Sequence, residues 1–438
     1  MWRYIETSRS KIAFVFLYVY VFVITFGILQ RSYGNPSGFG LSSALMAAII
    51  ILVFPETVKA ILYHKLLQMW VILIVYLLAI TMIANPSFPV TDDAYKKIGG
   101  LFMLCLFCGA VASMTWNALR IRRIGNVMVF GLMIMGVMAL LDDFKVLDIS
   151  FMNLCYMHDP PIKSPNAQFG HRSIMGLYLG IMLPFLFVLE DSKKQNWFRF
   201  TTIAVGICFL YFLIYSANRS GIAAATISLT LYYAFHLENK ERLLNPYVPG
   251  FAISIILSFV LVFWTRTLQG LYFLISWLAS PIIADIPVVG EVAARFAAFK
   301  LNQLQTIPAN VIYASDRVRY EVIQNAVSGF KTNFFGAGFQ SNTHVWFIID
   351  IIFAAGVVGV IWISISSFYV TRVFSYGFRT FPDKNIIWAL LIPLVSWVFV
   401  GIMYNSLHIG LAWLFLGIVL ALCSGDRIDN MKPNTEKF

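Results

Sequence analysis

The chain is dominated by apolar stretches that are long enough to cross a lipid bilayer. The hydrocarbon core of a bilayer is about 30 Å thick, and an α-helix of about 20 residues crosses it. When tilt and ragged ends are allowed for, about twelve such stretches are present; they lie at residues 12–30, 39–54, 66–84, 98–116, 124–141, 171–189, 200–216, 221–237, 250–268, 345–369, 386–403 and 405–422. Because backbone amides must be hydrogen-bonded in lipid, such a chain is expected to fold as a helical bundle.

The composition excludes several other classes of protein. Hydrophobic residues make up 59% of the chain and charged residues 12%, whereas soluble domains carry about 25% charged residues. Cys105 and Cys108 form a CxxC pair inside an apolar stretch without a second pair, which argues against a zinc or redox site. We therefore predict an all-α polytopic integral membrane protein, in which residues 1–438 form a single membrane domain and the net charge of +11 reflects topology rather than nucleic-acid binding.

The distribution of basic residues predicts the orientation in the membrane. The short segments on the N-terminal side hold most of the lysines and arginines, and cytoplasmic loops are the ones enriched in these residues. The first apolar stretch follows Arg3, Arg9 and Lys11 and has no small-residue cleavage site, so it is expected to remain as an uncleaved span. With an even number of spans, both termini are expected in the cytoplasm.

One connection on the outer side is too long to be a simple turn. It begins at Arg266 with a largely apolar stretch that suits the membrane surface, and it continues with helical spacing of apolar residues. Long loops of this kind between membrane spans are usually functional. We predict that residues 266–344 form a loop between spans 9 and 10 that acts as a lid over an active site.

Arginines on the outer side are the candidate anion-binding residues. Arg219 lies in a very short turn, and Arg172 begins the sixth span, so both are expected at helix N-termini. A cation there opposes the helix dipole by up to about 1 kcal/mol. A bound phosphate would offset that cost, and a salt bridge or lipid phosphate is the alternative. Arg317 and Arg319 are about 200° apart on a helix, so only one of them can face a given site.

One histidine is the candidate general base. His344 follows a polar run at the start of the tenth span, where an imidazole is either a hydrogen-bonded structural residue or, beside several arginines, a base. Asp350, an acid within an apolar stretch, needs a partner or a function. The sequence has no Asp-x-Asp set, Walker-type loop or His/Cys cluster. A phosphorylated substrate would therefore be neutralised by arginine, and no metal or other cofactor is expected.

Four motifs, in order along the chain, resemble the O-antigen ligase and polymerase superfamily of membrane glycosyltransferases. The run SANRSG around Arg219 resembles its Ser-x-x-Arg-Ser/Thr-Gly turn, and RYEVIQNA, which begins at Arg319, resembles its loop helix. The run GAG at residues 336–338 matches its Gly-x-Gly, and a histidine, His344, is followed by Gly356 and Gly359. Two positions depart from the family pattern, because Val345 follows the histidine where asparagine is frequent and Phe353 stands where an acid is frequent.

The resemblance implies an inverting, metal-independent glycosyltransferase of a Gram-negative inner membrane. Such enzymes take a glycan from undecaprenyl pyrophosphate on the periplasmic face, and the ligases transfer it to lipid A–core. Arg219 and Arg319 foremost, then Arg317 and Arg172, would hold the pyrophosphate, while His344 would take the proton from the acceptor hydroxyl. Three alternatives stay open: a polymerase with the same donor, a protein O-oligosaccharyltransferase, and a transporter of lipid-linked sugars.

Overall fold

Apolar segments fold into helices throughout the part of the chain that a computed structural model describes, namely residues 8–26, 41–84, 92–143, 172–190, 200–207, 333–339, 347–381, 383–403 and 410–423. These residues contain no β-strand. They belong to one compact unit, formed by residues 1–239 together with 326–438. A second unit, residues 240–325, lies outside the described residues.

Ten helices with defined bounds lie in the described ranges. They are α1 (Ser8–Phe26), α2 (Leu41–Leu52), α3 (Phe54–Tyr63), α4 (Lys65–Ala84), α5 (Asp92–Ser113), α6 (Ala118–Asp143), α7 (Arg172–Glu190), α8 (Phe347–Thr380), α9 (Lys384–Met403) and α10 (Gly410–Leu422). All but α3 coincide with stretches expected from the sequence.

Four of these helices are long and apolar enough to cross a membrane. The candidate spans are Lys65–Ile83, Ala94–Ser113, Ala118–Met138 and Asp350–Thr380, and α2 with α3 would make a fifth if the pair is one broken span. This confirms the prediction of a helical protein with membrane-span candidates. The predicted number of twelve spans also depends on apolar stretches that lie outside the described ranges.

The break between α2 and α3 has a local cause. The two helices are bent by 84°, and Pro55 occupies the first turn of α3, where its missing N–H breaks no intrahelical bond. The hydroxyl of Thr57 donates a hydrogen bond of 2.9 Å to the carbonyl of Val53 at the break. The apolar stretch expected at residues 39–54 therefore ends in a corner rather than continuing straight.

Helix α8 extends eleven residues beyond the stretch 345–369 expected from apolarity, to Thr380. Its second half is rich in hydroxyl side chains, which hydrogen-bond to the carbonyl four residues earlier: Ser364 to Val360, Thr371 to Ser367, Ser375 to Thr371, and Thr380 to Tyr376, at 2.8–3.0 Å. Because these hydroxyl groups are hydrogen-bonded within the helix, α8 can continue past the residue at which apolarity alone predicts its end.

Tryptophans mark the centre of the described bundle. The rings of Trp70 on α4 and Trp362 on α8 have centroids 4.2 Å apart, and Trp70 lies 4.7 Å from Trp413 on α10. Every residue of α10 is buried. The indole N–H of Trp362 donates to the carbonyl of Met69 at 3.0 Å, which fixes α8 against α4. Helix α4 thus runs beside α8, with α5 on another side.

Candidate functional site

The described part of the chain contains one of the five predicted site residues. Arg172 is the first residue of α7, as the sequence predicted, although its side chain lies outside the described part. The others, His344, Arg219, Arg317 and Arg319, lie outside the described residues, and so does the predicted lid at 266–344 apart from residues 333–339. The structure describes the chain on both sides of the segment that contains His344, namely residues 333–339 before it and α8 after it.

Helix α8 is broken inside a candidate membrane span. Gly356 has φ 59° and ψ −138°. This conformation lies outside the helical region, and L-residues with side chains avoid it. The break divides α8 into an N-terminal half, residues 347–355, and a C-terminal half, residues 357–380. Such a break frees backbone groups, which must find other partners at membrane depth.

Residues 333–339, which we call the glycine loop, supply those partners. Three backbone hydrogen bonds join the loop to α8. Two run from the loop to the N-terminal half and one from the C-terminal half to the loop: Ala337 N–H to the Phe353 carbonyl (3.0 Å), Gly338 N–H to the Ala354 carbonyl (3.0 Å) and Val357 N–H to the Phe334 carbonyl (2.9 Å). The loop therefore repairs the hydrogen bonding on both sides of the break.

The glycine loop approaches α4 and α8 so closely that three motif positions require glycine. Gly336 and Gly338 have φ values of 107° and 71°, which favour glycine. A Cβ on Gly338 would stand 2.7 Å from the Cα of Thr81, and one on Gly336 would stand 2.7 Å from the carbonyl carbon of Ala355. A Cβ on Gly356 would overlap the carbonyl oxygen of Phe334. Side chains at these three positions would separate the loop, α4 and α8.

Helix α4 holds the other side of the glycine loop. The N–H of Phe339 donates to the buried hydroxyl of Thr81 at 3.0 Å, and the hydroxyl of Tyr76 donates to the carbonyl of Phe335. Both α4 residues lie within the candidate span Lys65–Ile83, so the loop reaches to the depth of a membrane helix. Non-helical backbone at that depth is tolerated where it is buried in protein or lines a water-filled cavity, and residues 336–339 are buried.

A buried acid adjoins this framework. Asp350, in the first turn of α8, is 2% exposed, and Lys97 of α5 contributes a positive charge to its surroundings. Lys97 is half-buried. An acid in the first turn of a helix also complements the helix dipole. The sequence indicated that Asp350 needs a partner, but it did not single out Lys97 as a candidate. The available signal was the position of Lys97 at the start of a long apolar stretch.

The described cysteines and acids do not form a metal centre. In the described ranges, no group of three or more His, Cys, Asp or Glu side chains could hold a metal ion. Cys105 and Cys108 are buried free thiols within α5.

Comparison with known proteins adds no assignment. No protein-family model matches the chain, and a search of the curated proteins finds no match. Its function must therefore be inferred from the residues of the sequence motifs and from the way the described part of the fold uses them.

Proposed function

We propose that this protein is an O-antigen ligase of a Gram-negative inner membrane. It has about twelve transmembrane helices with both termini in the cytoplasm, and residues 266–344 form a periplasmic lid between spans 9 and 10. It transfers a glycan from undecaprenyl pyrophosphate to a sugar of lipid A–core.

The docking of the glycine loop into the break of α8 supports this proposal most. Gly336, Gly338 and Gly356 belong to the motifs that resemble the superfamily, and all three serve one structural unit at the depth of a membrane span. The segment 340–346, which contains His344, joins the loop to α8. Since an extended chain covers at most about 3.6 Å per residue, three residues keep the Cα of His344 within about 11 Å of that of Phe347. The proposed base is thereby tethered to a rigid framework.

The proposed reaction is a single inverting displacement. The oxygen of an acceptor hydroxyl attacks the anomeric carbon, while the bond from that carbon to the pyrophosphate oxygen breaks. The bonding electrons leave with undecaprenyl pyrophosphate, and His344 accepts the hydroxyl proton. Arg219 and Arg319, with Arg172, neutralise the leaving group, because guanidinium groups donate paired hydrogen bonds to phosphate oxygens and stay charged. Arg317 is the alternative to Arg319, since only one of the two can face the site.

The experiment that tests the proposal uses purified full-length protein with a lipid-linked glycan. One reaction contains lipid A–core, a second contains no other acceptor, and each is run with and without a chelator. Transfer to lipid A–core in both conditions is the expected result. Chain growth without lipid A–core would identify a polymerase, and loss of transfer on chelation would refute the metal-independent mechanism.

A transporter of lipid-linked sugars is a second candidate, favoured by the break in α8. Secondary transporters commonly bind substrate at discontinuous membrane helices. Against this, the described backbone groups around the break are hydrogen-bonded by the glycine loop, which leaves fewer of them for a substrate. Protein reconstituted in vesicles distinguishes the two candidates: movement of the lipid-linked glycan between leaflets, without any glycan transfer, would favour the transporter.

A further inference from the structure

Helix α3 turns away from the direction of α2, and the proposed reaction gives it no role. The two helices are bent by 84° across the break at Val53, so α3 runs almost at a right angle to α2. A bend of this kind either divides one broken span or joins a span to a helix that lies along the membrane surface. The two arrangements differ in the level at which α3 lies and in the surroundings of its exposed side chains.

The neighbours of α3 place it at one surface of the membrane. A single residue separates its end from Lys65, where the candidate span of α4 begins. Its buried side packs against α5, because a Cβ on Gly109 would lie 2.9 Å from Cγ1 of Ile61 and 3.3 Å from Cγ2 of Thr57. Gly109 precedes Ser113, where the candidate span of α5 ends, by about 6 Å along the helix. Helix α3 thus lies at the level where one span begins and another ends.

The side chains of α3 form three faces around the helix axis. One face is buried or half-buried in the protein: Thr57, Ala60 and Ile61. A second face, which we call the apolar row, repeats every four residues and consists of large apolar side chains that are 38–68% exposed: Phe54, Val58 and Leu62. The third face is exposed and polar: Glu56, Lys59 and Tyr63. The helix therefore has separate faces suited to protein, hydrocarbon and water.

This division of faces fits the boundary between lipid headgroups and acyl chains. Amphipathic helices at that boundary lie in the membrane plane with their apolar face buried by about 5–10 Å. Continuation of α3 into the hydrocarbon core would take Glu56 and Lys59 out of water, which is unfavourable for charged side chains. The polar face also contains Tyr63, a residue type that is enriched at the boundary between membrane and water.

We propose that α3 lies along the membrane surface and binds the lipid there. The apolar row inserts between the acyl chains just below the headgroups, and the polar face remains in water. Helices α2 and α3 are then a membrane segment followed by a surface helix, rather than the two halves of one broken span. This inference concerns membrane association and does not depend on glycan transfer.

The test measures the depth of nitroxide labels in full-length protein reconstituted in vesicles of phosphatidylethanolamine and phosphatidylglycerol. Single labels are attached to Phe54→Cys, Val58→Cys and Leu62→Cys, and wild-type protein treated in parallel gives the background from its own cysteines. The three labels should lie at the same depth, whereas a spanning helix would separate the first from the last by about 12 Å. Oxygen, which concentrates in lipid, should relax all three labels more strongly than a water-soluble nickel chelate does.

Two reference positions calibrate the depths. Lys59→Cys, on the polar face, should be relaxed more strongly by the nickel chelate than by oxygen. Ile72, which is 67% exposed within the candidate span of α4, lies about 10 Å along that helix from Lys65. A label at Ile72→Cys should therefore lie deeper than any label in the apolar row.

A second measurement uses the wild-type protein and needs no substitution. A phospholipid that carries a photoreactive diazirine at the start of its acyl chain should label the apolar row, as located by mass spectrometry. The same lipid with the diazirine at the end of the chain should label Ile72 in preference. This measurement decides the question for any position at which the cysteine variant fails to fold.

Three outcomes would overturn the inference. A steady change in depth of about 12 Å from residue 54 to residue 62, or labelling of these residues by the deep diazirine, would make α3 half of a broken span. Nickel relaxation of the apolar row equal to that at Lys59→Cys would place the row in water. Protection of the row from oxygen, nickel chelate and both diazirines would show that protein covers it, for example a second copy of the chain.

Discussion

Replacing Gly356 with alanine tests the repaired break directly. The added Cβ would overlap the carbonyl oxygen of Phe334 and lie 2.5 Å from the carbonyl carbon of Phe335. Both atoms are backbone, so no side-chain rotation relieves the overlap. Either α8 keeps its path and the glycine loop is displaced, or Gly356 becomes helical and the loop loses its docking place.

The expected loss in the free energy of unfolding follows from the strain and the hydrogen bonds that these two responses involve. An alanine held at φ 59° and ψ −138° costs about 1–3 kcal/mol of backbone strain. Displacing the loop breaks the three backbone hydrogen bonds to α8, each with a net value of about 0.5–1.5 kcal/mol. A variant that suffers both effects would lose roughly 3–7 kcal/mol, a large part of the 5–15 kcal/mol typical of folded domains.

Buried thiols provide the assay. Cys105, Cys108 and Cys423 are free and buried, so a thiol-reactive fluorophore will label them as the purified protein unfolds on heating. Gly99→Ala is the matched control, because its Cβ would meet nothing within 4 Å and alanine in a helix is favoured by roughly 0.5–1 kcal/mol. An unfolding temperature for Gly356→Ala equal to that of Gly99→Ala would refute the role of the break.

Substitutions at three further residues test the site. His344→Ala should abolish transfer without changing the unfolding temperature, and near-normal transfer by the purified variant would exclude His344 as the base. Arg219→Ala should raise the KM for the donor and Arg219→Lys should recover part of the loss, since an ammonium group cannot make paired bonds; full recovery would indicate a simple point charge. Thr81→Val should cost about 1–3 kcal/mol by leaving the Phe339 amide unpaired, whereas Thr81→Ser should not; equal unfolding temperatures in the thiol assay would contradict this.

Helix positions were the part of the fold that the sequence predicted well. Helix α4 spans Lys65–Ala84 where residues 66–84 were expected, and α9 spans Lys384–Met403 where 386–403 were expected. The physical reason is that bilayer thickness demands an apolar stretch of defined length, which composition reveals directly.

The break in α8 could not be predicted from the same pattern. Residues 345–369 read as one uninterrupted apolar stretch, and glycine is frequent in membrane helices that are not broken. What breaks the helix is the docking of the glycine loop against α4, a contact between Thr81 and Phe339, which are 258 positions apart in sequence. Local spacing carries no information about such a contact.

The separation of the partners also sets an order for assembly during synthesis. Helix α4 emerges early and the glycine loop much later, immediately before the segment that leads into α8. If α8 entered lipid before the loop met α4, the carbonyl groups of Phe353 and Ala354 would bond to N–H groups within α8, because an unpaired carbonyl costs several kcal/mol in hydrocarbon, and the break would then have to open when the loop docks. A nascent chain with an altered loop would thus retain an α8 that is closed across Gly356, and the loop would be left without its docking place.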